Sequence, residues 1–115
     1  VLKLGAGARL SSLEPLARLT ALEVLCLRNQ PLVSNAVLAR AGLLLPQLRT
    51  LRLKNCLRIT DASLASLAEH PSLQQLDVLW CPHLSDAGFD TLRAAGFVQA
   101  ESRRYVRKNS KPIQK

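Results

Sequence analysis

Methionine is absent from this 115-residue chain, and the aromatic side chains number only four: Trp80, Phe89, Phe97 and Tyr105. So few rings exclude a core organised around large aromatics and leave burial to leucine in small layers, within the length of one domain. Long apolar runs are missing as well: Leu43-Leu44-Leu45 stops at Pro46, far short of the about 18 residues of a membrane span. The opening residues show no signal-peptide pattern. Catalytic motifs are equally scarce. Gly5-Ala6-Gly7 lacks the rest of a phosphate-binding loop, and no G-x-S-x-G elbow occurs. His70 abuts Pro71 and His83 follows Pro82, and neither has a nucleophile at a readable spacing. Three cysteines without a C-x-x-C, and histidines off zinc-ligand spacing, argue against a metal site and against a secreted disulfide framework. The sequence thus predicts no catalytic residues, no metal, no cofactor, no small-molecule substrate and no transmembrane segment. It predicts an intracellular protein, cytoplasmic or mitochondrial.

What the chain does have is repetition. Leu22-Glu23-Val24-Leu25-Cys26-Leu27-Arg28-Asn29-Gln30 matches Leu48-Arg49-Thr50-Leu51-Arg52-Leu53-Lys54-Asn55-Cys56, and both match Leu73-Gln74-Gln75-Leu76-Asp77-Val78-Leu79-Trp80-Cys81. The shared frame is L-x-x-L-x-L-x-x-(N/C/Q). A fixed period in the twenties of residues is the mark of a solenoid. Alternation in L-x-x-L-x-L gives a short strand with leucine on one face. Helical spacing follows: Leu64, Leu67 and Ala68 come after Thr60-Asp61, and Phe89 and Leu92 come after Ser85-Asp86. Thr60 and Ser85 are suited to cap a helix start, with Asp61 and Asp86 placing negative charge at the positive end. Pro71 and Gly96 supply the stops. The repetition of Asp61 and Asp86 by unit points to this capping and away from acid–base chemistry.

The fold expectation is therefore α/β: a leucine-rich-repeat solenoid of about four strand–turn–helix units with a parallel concave sheet, over residues 1–98. Val1-Leu2-Lys3-Leu4 falls inside the frame, Leu2 and Leu4 aligning with Leu25 and Leu27. The expectation there is a truncated or processed end, or one covered by a partner. Cys56 and Cys81 share a frame position and should stack as small buried hydrophobes, with a disulfide or a metal site as the other reading.

Residues alternating with the buried leucines should face the open concave side. One column is Lys3, Cys26, Arg52 and Asp77; the next is Gly5, Arg28, Lys54 and Leu79; the next is Ala6, Asn29, Asn55 and Trp80. Arg52 and Asp77 should sit side by side as a pair contributing at most about 1 kcal/mol. The candidate partner-binding face is Lys3, Arg28, Arg52, Lys54, Asp77, Leu79 and Trp80, with Trp80 as an aromatic anchor. The competing reading is a solvated sheet face with Trp80 folded onto Leu79 or His83. Asn29 and Asn55 have a structural reading too, as turn residues that bond neighbouring backbone.

Charge is uneven. Residues 99–115 hold six basic residues against Glu101, a net +5 of the chain's +8. The frame also fails there, since Glu101 and Arg103 fall where leucine belongs. Residues 99–115 are expected to form a basic edge segment and arm of Arg103, Arg104, Tyr105, Arg107, Lys108 and Lys111, with Phe97, Val98, Tyr105 and Val106 tying a last edge strand or loop onto the final coil and the extended arm running beyond it from Arg107. Such an arm binds phosphate-rich partners, with Tyr105 available to stack on a base, or binds acidic protein or membrane surfaces, or merely solubilises the chain.

Two stretches carry a resemblance. Cys56-Leu57-Arg58-Ile59-Thr60-Asp61-Ala62-Ser63-Leu64 and Cys81-Pro82-His83-Leu84-Ser85-Asp86-Ala87-Gly88-Phe89 resemble the cysteine-containing leucine-rich repeat, C-x-x-(I/L)-(T/S)-D-x-x-(L/F). Gln30 and Gly7 stand where cysteine would be in the earlier units, and Ser34-Asn35 replaces Thr-Asp. The family is best known in substrate-recognition arms of F-box ubiquitin ligase receptors and in accessory subunits of large assemblies, including mitochondrial ones. The resemblance implies binding without chemistry: a protein-interaction scaffold, an accessory subunit holding protein partners in a larger complex. The alternatives are an F-box-type receptor, which predicts an F-box ahead of the repeats, and an RNA-contacting ribonucleoprotein subunit, as in a mitochondrial ribosome.

Overall fold

Leucine at alternate positions writes the strands, and short helices return the chain between them. A computed structural model describes residues 2–5, 12–19, 21–101 and 103–107, with Lys3, Leu4 and Glu101 described by backbone only. Its strands are β1 (Leu2–Leu4), β2 (Val24–Arg28), β3 (Thr50–Lys54), β4 (Gln75–Leu79), β5 (Phe97–Glu101) and β6 (Arg104–Arg107). Its helices are α1 (Asn35–Ala39), α2 (Ala41–Leu44), α3 (Asp61–Ala68) and α4 (Asp86–Ala94), and a 3-10 turn covers Glu14–Leu16.

The six strands lie in the order β1-β2-β3-β4-β6-β5. The first four are parallel, and their register follows the repeat frame: Leu2, Leu25, Leu51 and Leu76 are neighbours, as are Leu4, Leu27, Leu53 and Val78. From Leu25 onward these side chains are buried, and they form one core with Leu38, Leu64, Leu67 and Leu92 of the helices. The exposed side chains of the strands lie on the opposite face.

This architecture corrects the four-unit solenoid and the all-parallel concave sheet. The chain is a small compact α/β domain with a mixed sheet that is not curled. Its Cα radius of gyration is 13.1 Å, the roughly 13 Å expected of a compact globule of this length. Two features stop the superhelix. A sheet curls when a uniformly thick helix layer backs every strand, and here that layer is uneven: a three-residue 3-10 turn, then α1 and α2 of five and four residues, and only then the longer α3 and α4. At the other edge the parallel progression reverses. After α4 the chain turns at Gly96, whose φ of 102° is left-handed territory suited to glycine. It then runs through β5 and returns along β4 as antiparallel β6.

Contacts between equivalent positions tie the units together. Gln30 and Cys56 occupy one frame position and both are buried. The Gln30 amide donates to the Gly5 carbonyl at 2.8 Å, and the Cys56 thiol donates to the Leu27 carbonyl at 3.8 Å. Cys81 repeats the pattern toward Leu53. Burial pushes both thiols above their ordinary pKa, so they are poor thiolates, and all three cysteines are unpaired. Thr60 caps α3 by accepting from the Ala62 amide. Ser85 does not cap α4: its amide and hydroxyl both donate to the Asp61 carboxylate of the preceding unit. Asp61 thus links α3 to α4. The two helices approach so closely that a Cβ on Gly88 would stand 2.3 Å from Asp61 Oδ1 and 2.8 Å from Leu64 Cδ1.

Candidate docking surface

The open sheet face is built from the side chains that alternate with the buried leucines. Pairing aligns Cys26 with Arg52 and Asp77, and Arg28 with Lys54 and Leu79. These residues, with Gly5, line an open-topped depression of about 350 Å³. The backbone of Lys3 pairs with Cys26, and its side chain lies outside the described set.

Asp77 departs from the expected open position. Its residue is only 6% exposed, because two guanidinium groups cover it: Arg52 Nε lies 3.3 Å from Oδ2 and Arg104 Nε lies 3.2 Å from Oδ1. Asp77 therefore anchors two arginines and is not itself offered to a partner. Arg28 has no carboxylate partner among the described residues.

Trp80 is 71% exposed. Lys54 Nζ sits 4.6 Å from its ring centroid. A lysine ammonium over an indole face is attracted by the ring quadrupole, worth about 0.5–1 kcal/mol at an exposed site. Leu79, half-exposed beside it, and Leu57 extend the apolar surface. Below the ring lies a second depression of about 490 Å³, whose walls include Leu57, Val78, Leu84, Phe89 and Arg103. Leu79 lines both depressions and Trp80 lines the second, so the two side chains form a ridge along the edge of the second depression.

The residues expected to form a basic arm divide. Tyr105 is buried and stacks on Phe89 with centroids 5.1 Å apart. The ring is core, and the expectation that it stacks on a base is corrected. Arg107 is not an arm residue either. Its Nε donates to the Leu73 carbonyl at 2.8 Å, its Nη2 to the His70 carbonyl at 3.3 Å, and its guanidinium lies 4.4 Å over Phe97. Burial lowers its pKa. Arg104 is held by Asp77. Arg103, at the β5–β6 turn, is exposed and lies 4.8 Å over Phe89. Lys108 and Lys111 lie outside the described residues.

A further residue escaped sequence reasoning. His70 is buried, its Nε2 donating to the Leu45 carbonyl at 3.0 Å while Nδ1 accepts from the Ser72 amide at 3.1 Å. That pairing requires the neutral ring, and burial holds its pKa below the ordinary 6.5, assisted by the nearby Arg107 charge. The signal available was weak: the residue before Pro71 at a helix end. His70 belongs to the core and not to a site. Among the described residues no cluster of histidine, cysteine or acidic side chains is placed to hold a metal, and no helix is long and apolar enough to cross a membrane. No family model matches the chain, and no curated protein matches it.

Proposed function

We propose that this domain is a non-catalytic protein-interaction module that holds a protein partner on the open face of its sheet, as an accessory part of a larger assembly. The observation that carries the reading is the gathering of Arg28, Arg52, Lys54, Leu79 and Trp80 on one face, around a depression and an exposed indole. Arginine and tryptophan are the side chains that dominate interface energetics. The resemblance of the Cys56 and Cys81 stretches to cysteine-containing leucine-rich repeats supports binding, and kinship with that family is part of the proposal. Three unpaired thiols support an intracellular setting. RNA contact through the C-terminal basic residues draws less support, because Arg104 and Arg107 are spent within the fold.

The test is affinity capture from native extract followed by mass spectrometry. Three forms are compared: the parent, the Arg28→Glu/Lys54→Glu double variant, and a chain ending at residue 107. The reading expects a defined set of proteins that survives moderate salt, is retained by the shortened chain and is lost in the double variant. Recovery of RNA and RNA-bound proteins, lost on shortening, would replace it with a ribonucleoprotein function.

A further inference from the structure

The residue directly after each of β2, β3 and β4 turns in the left-handed region: Asn29 at φ 56°, Asn55 at φ 55° and Trp80 at φ 57°. Asparagine adopts this geometry readily, and a bulky side chain does so only against strain. The amides at the first two positions donate across to the next strand, Asn29 to the Lys54 carbonyl and Asn55 to the Leu79 carbonyl. Their side chains continue the ladder, with Asn55 Nδ2 donating to Asn29 Oδ1 at 2.6 Å. Trp80 breaks this series. It gives up the asparagine rung, takes a strained backbone and leaves its ring in solvent. Strain retained at a surface aromatic points to use.

The surroundings say what kind of use. On one side Lys54 covers the ring and Arg28 and Arg52 lie beyond. On the other, Arg103 overhangs a depression lined by Leu57, Leu84 and Phe89. The only carboxylate described on this surface, Asp77, is already engaged by two arginines. The surface is thus cationic on both flanks and apolar at the centre. A cleft of about 490 Å³ has the size of a pocket that takes one or two large side chains. Single-stranded nucleic acid is the weaker fit, because it stacks successive bases on several exposed rings; Phe89, Phe97 and Tyr105 are buried, leaving Trp80 alone.

Building on the protein-docking reading, we propose that the Trp80 ridge is the receptor for an acidic protein segment bearing a large apolar side chain. The apolar group sits in the cleft between Trp80 and Arg103, and flanking carboxylates meet Arg103 on one side and Lys54 and Arg28 on the other. Trp80 is the anchor, and its place in the asparagine series is the specificity device.

Panning a random-peptide display library against the parent and against Trp80→Asn tests this. The variant restores the asparagine rung, so its folding is secure, and a thermal melt checks it. The expected peptides are net acidic with at least one Leu, Phe or Trp, and they bind the variant about tenfold or more weakly, the loss of one strong anchor. Peptides without acidic bias, equal binding to the variant, or no enrichment at all would each overturn the proposal. Oligouridine RNA serves as a parallel probe, and tighter binding of it than of the selected peptides would also overturn it. If the peptides fail while Arg28→Glu/Lys54→Glu still abolishes capture from extract, the face binds protein by another chemistry, and only this inference falls.

Discussion

The parallel half of the molecule and its C-terminal edge are held together by different chemistry. From β2 to β4 the core is leucine on leucine in register, Leu25 beside Leu51 beside Leu76. At the edge the rings take over. Phe89, Phe97 and Tyr105 are all buried there, each with an arginine close to its face: Arg103, Arg107 and Arg93 respectively. A parallel repeat presents the same unsatisfied edge after every strand and cannot end itself. Here the end is made by reversing direction and by covering the last leucine layer with larger side chains, so that Leu76 meets Leu51 on one side and Tyr105 on the other. Trp80 stands at the seam, on the last parallel strand's turn, where the asparagine ladder has no further parallel strand to serve.

The comparison breaks most severely in the leucine layers. Leu51→Asp or Leu76→Asp places an unpaired carboxylate at a position 1% exposed or less and should cost more than about 4 kcal/mol, leaving the chain unfolded by circular dichroism. Tyr105→Ala should cost about 3–5 kcal/mol. It should speed hydrogen exchange in β5 and β6 before β2 and β3; equal acceleration everywhere would show the two halves to be one cooperative unit. Gly88→Ala forces a Cβ against Asp61 and Leu64 and should cost about 1–3 kcal/mol by overpacking the α3–α4 contact, read from a denaturant midpoint.

A pH titration sharpens the comparison from within the core. The folded pKa of His70 lies below its unfolded value of about 6.5, so on acidification the unfolded chain takes up the proton first. The histidine contribution is complete above that pH and is lost as pH falls through the window below it. Melting temperature should therefore decline below about pH 6.5, and His70→Gln should flatten that decline. The smallest effect belongs to the seam: Trp80→Asn should raise stability by about 1 kcal/mol, relieving left-handed strain and adding a rung to the Asn29–Asn55 ladder.

Strand positions and their register were legible in the sequence because leucine spacing of period two fixes which side chains share a face. The lateral approach of Arg52 to Asp77 followed from the same frame. The global shape was not legible. Curvature depends on the thickness of the helix layer and on how the series ends, and neither is encoded in the nine-residue frame; the short α1 and α2 and the hairpin after Gly96 decide it. Charge runs misled for a related reason. Arg104, Tyr105 and Arg107 read as an arm by composition, but Tyr105 turns into the core as β6 pairs with β4, and Arg104 and Arg107 are drawn into contacts within the fold. Asp77 looked open because the sequence frame did not show that the C-terminal edge strand would carry Arg104 over it. The left-handed turn at Trp80 carries no sequence signal beyond its alignment with Asn29 and Asn55.

The most direct test uses the chain's single tryptophan as its own reporter. Peptides selected on the parent are titrated into it, following indole emission alongside the anisotropy of the labelled peptide. If the Trp80 ridge is the docking site, emission shifts to shorter wavelength as the ring leaves water, with the same midpoint as the anisotropy. Saturable binding with unchanged emission would place the partner elsewhere and contradict the account.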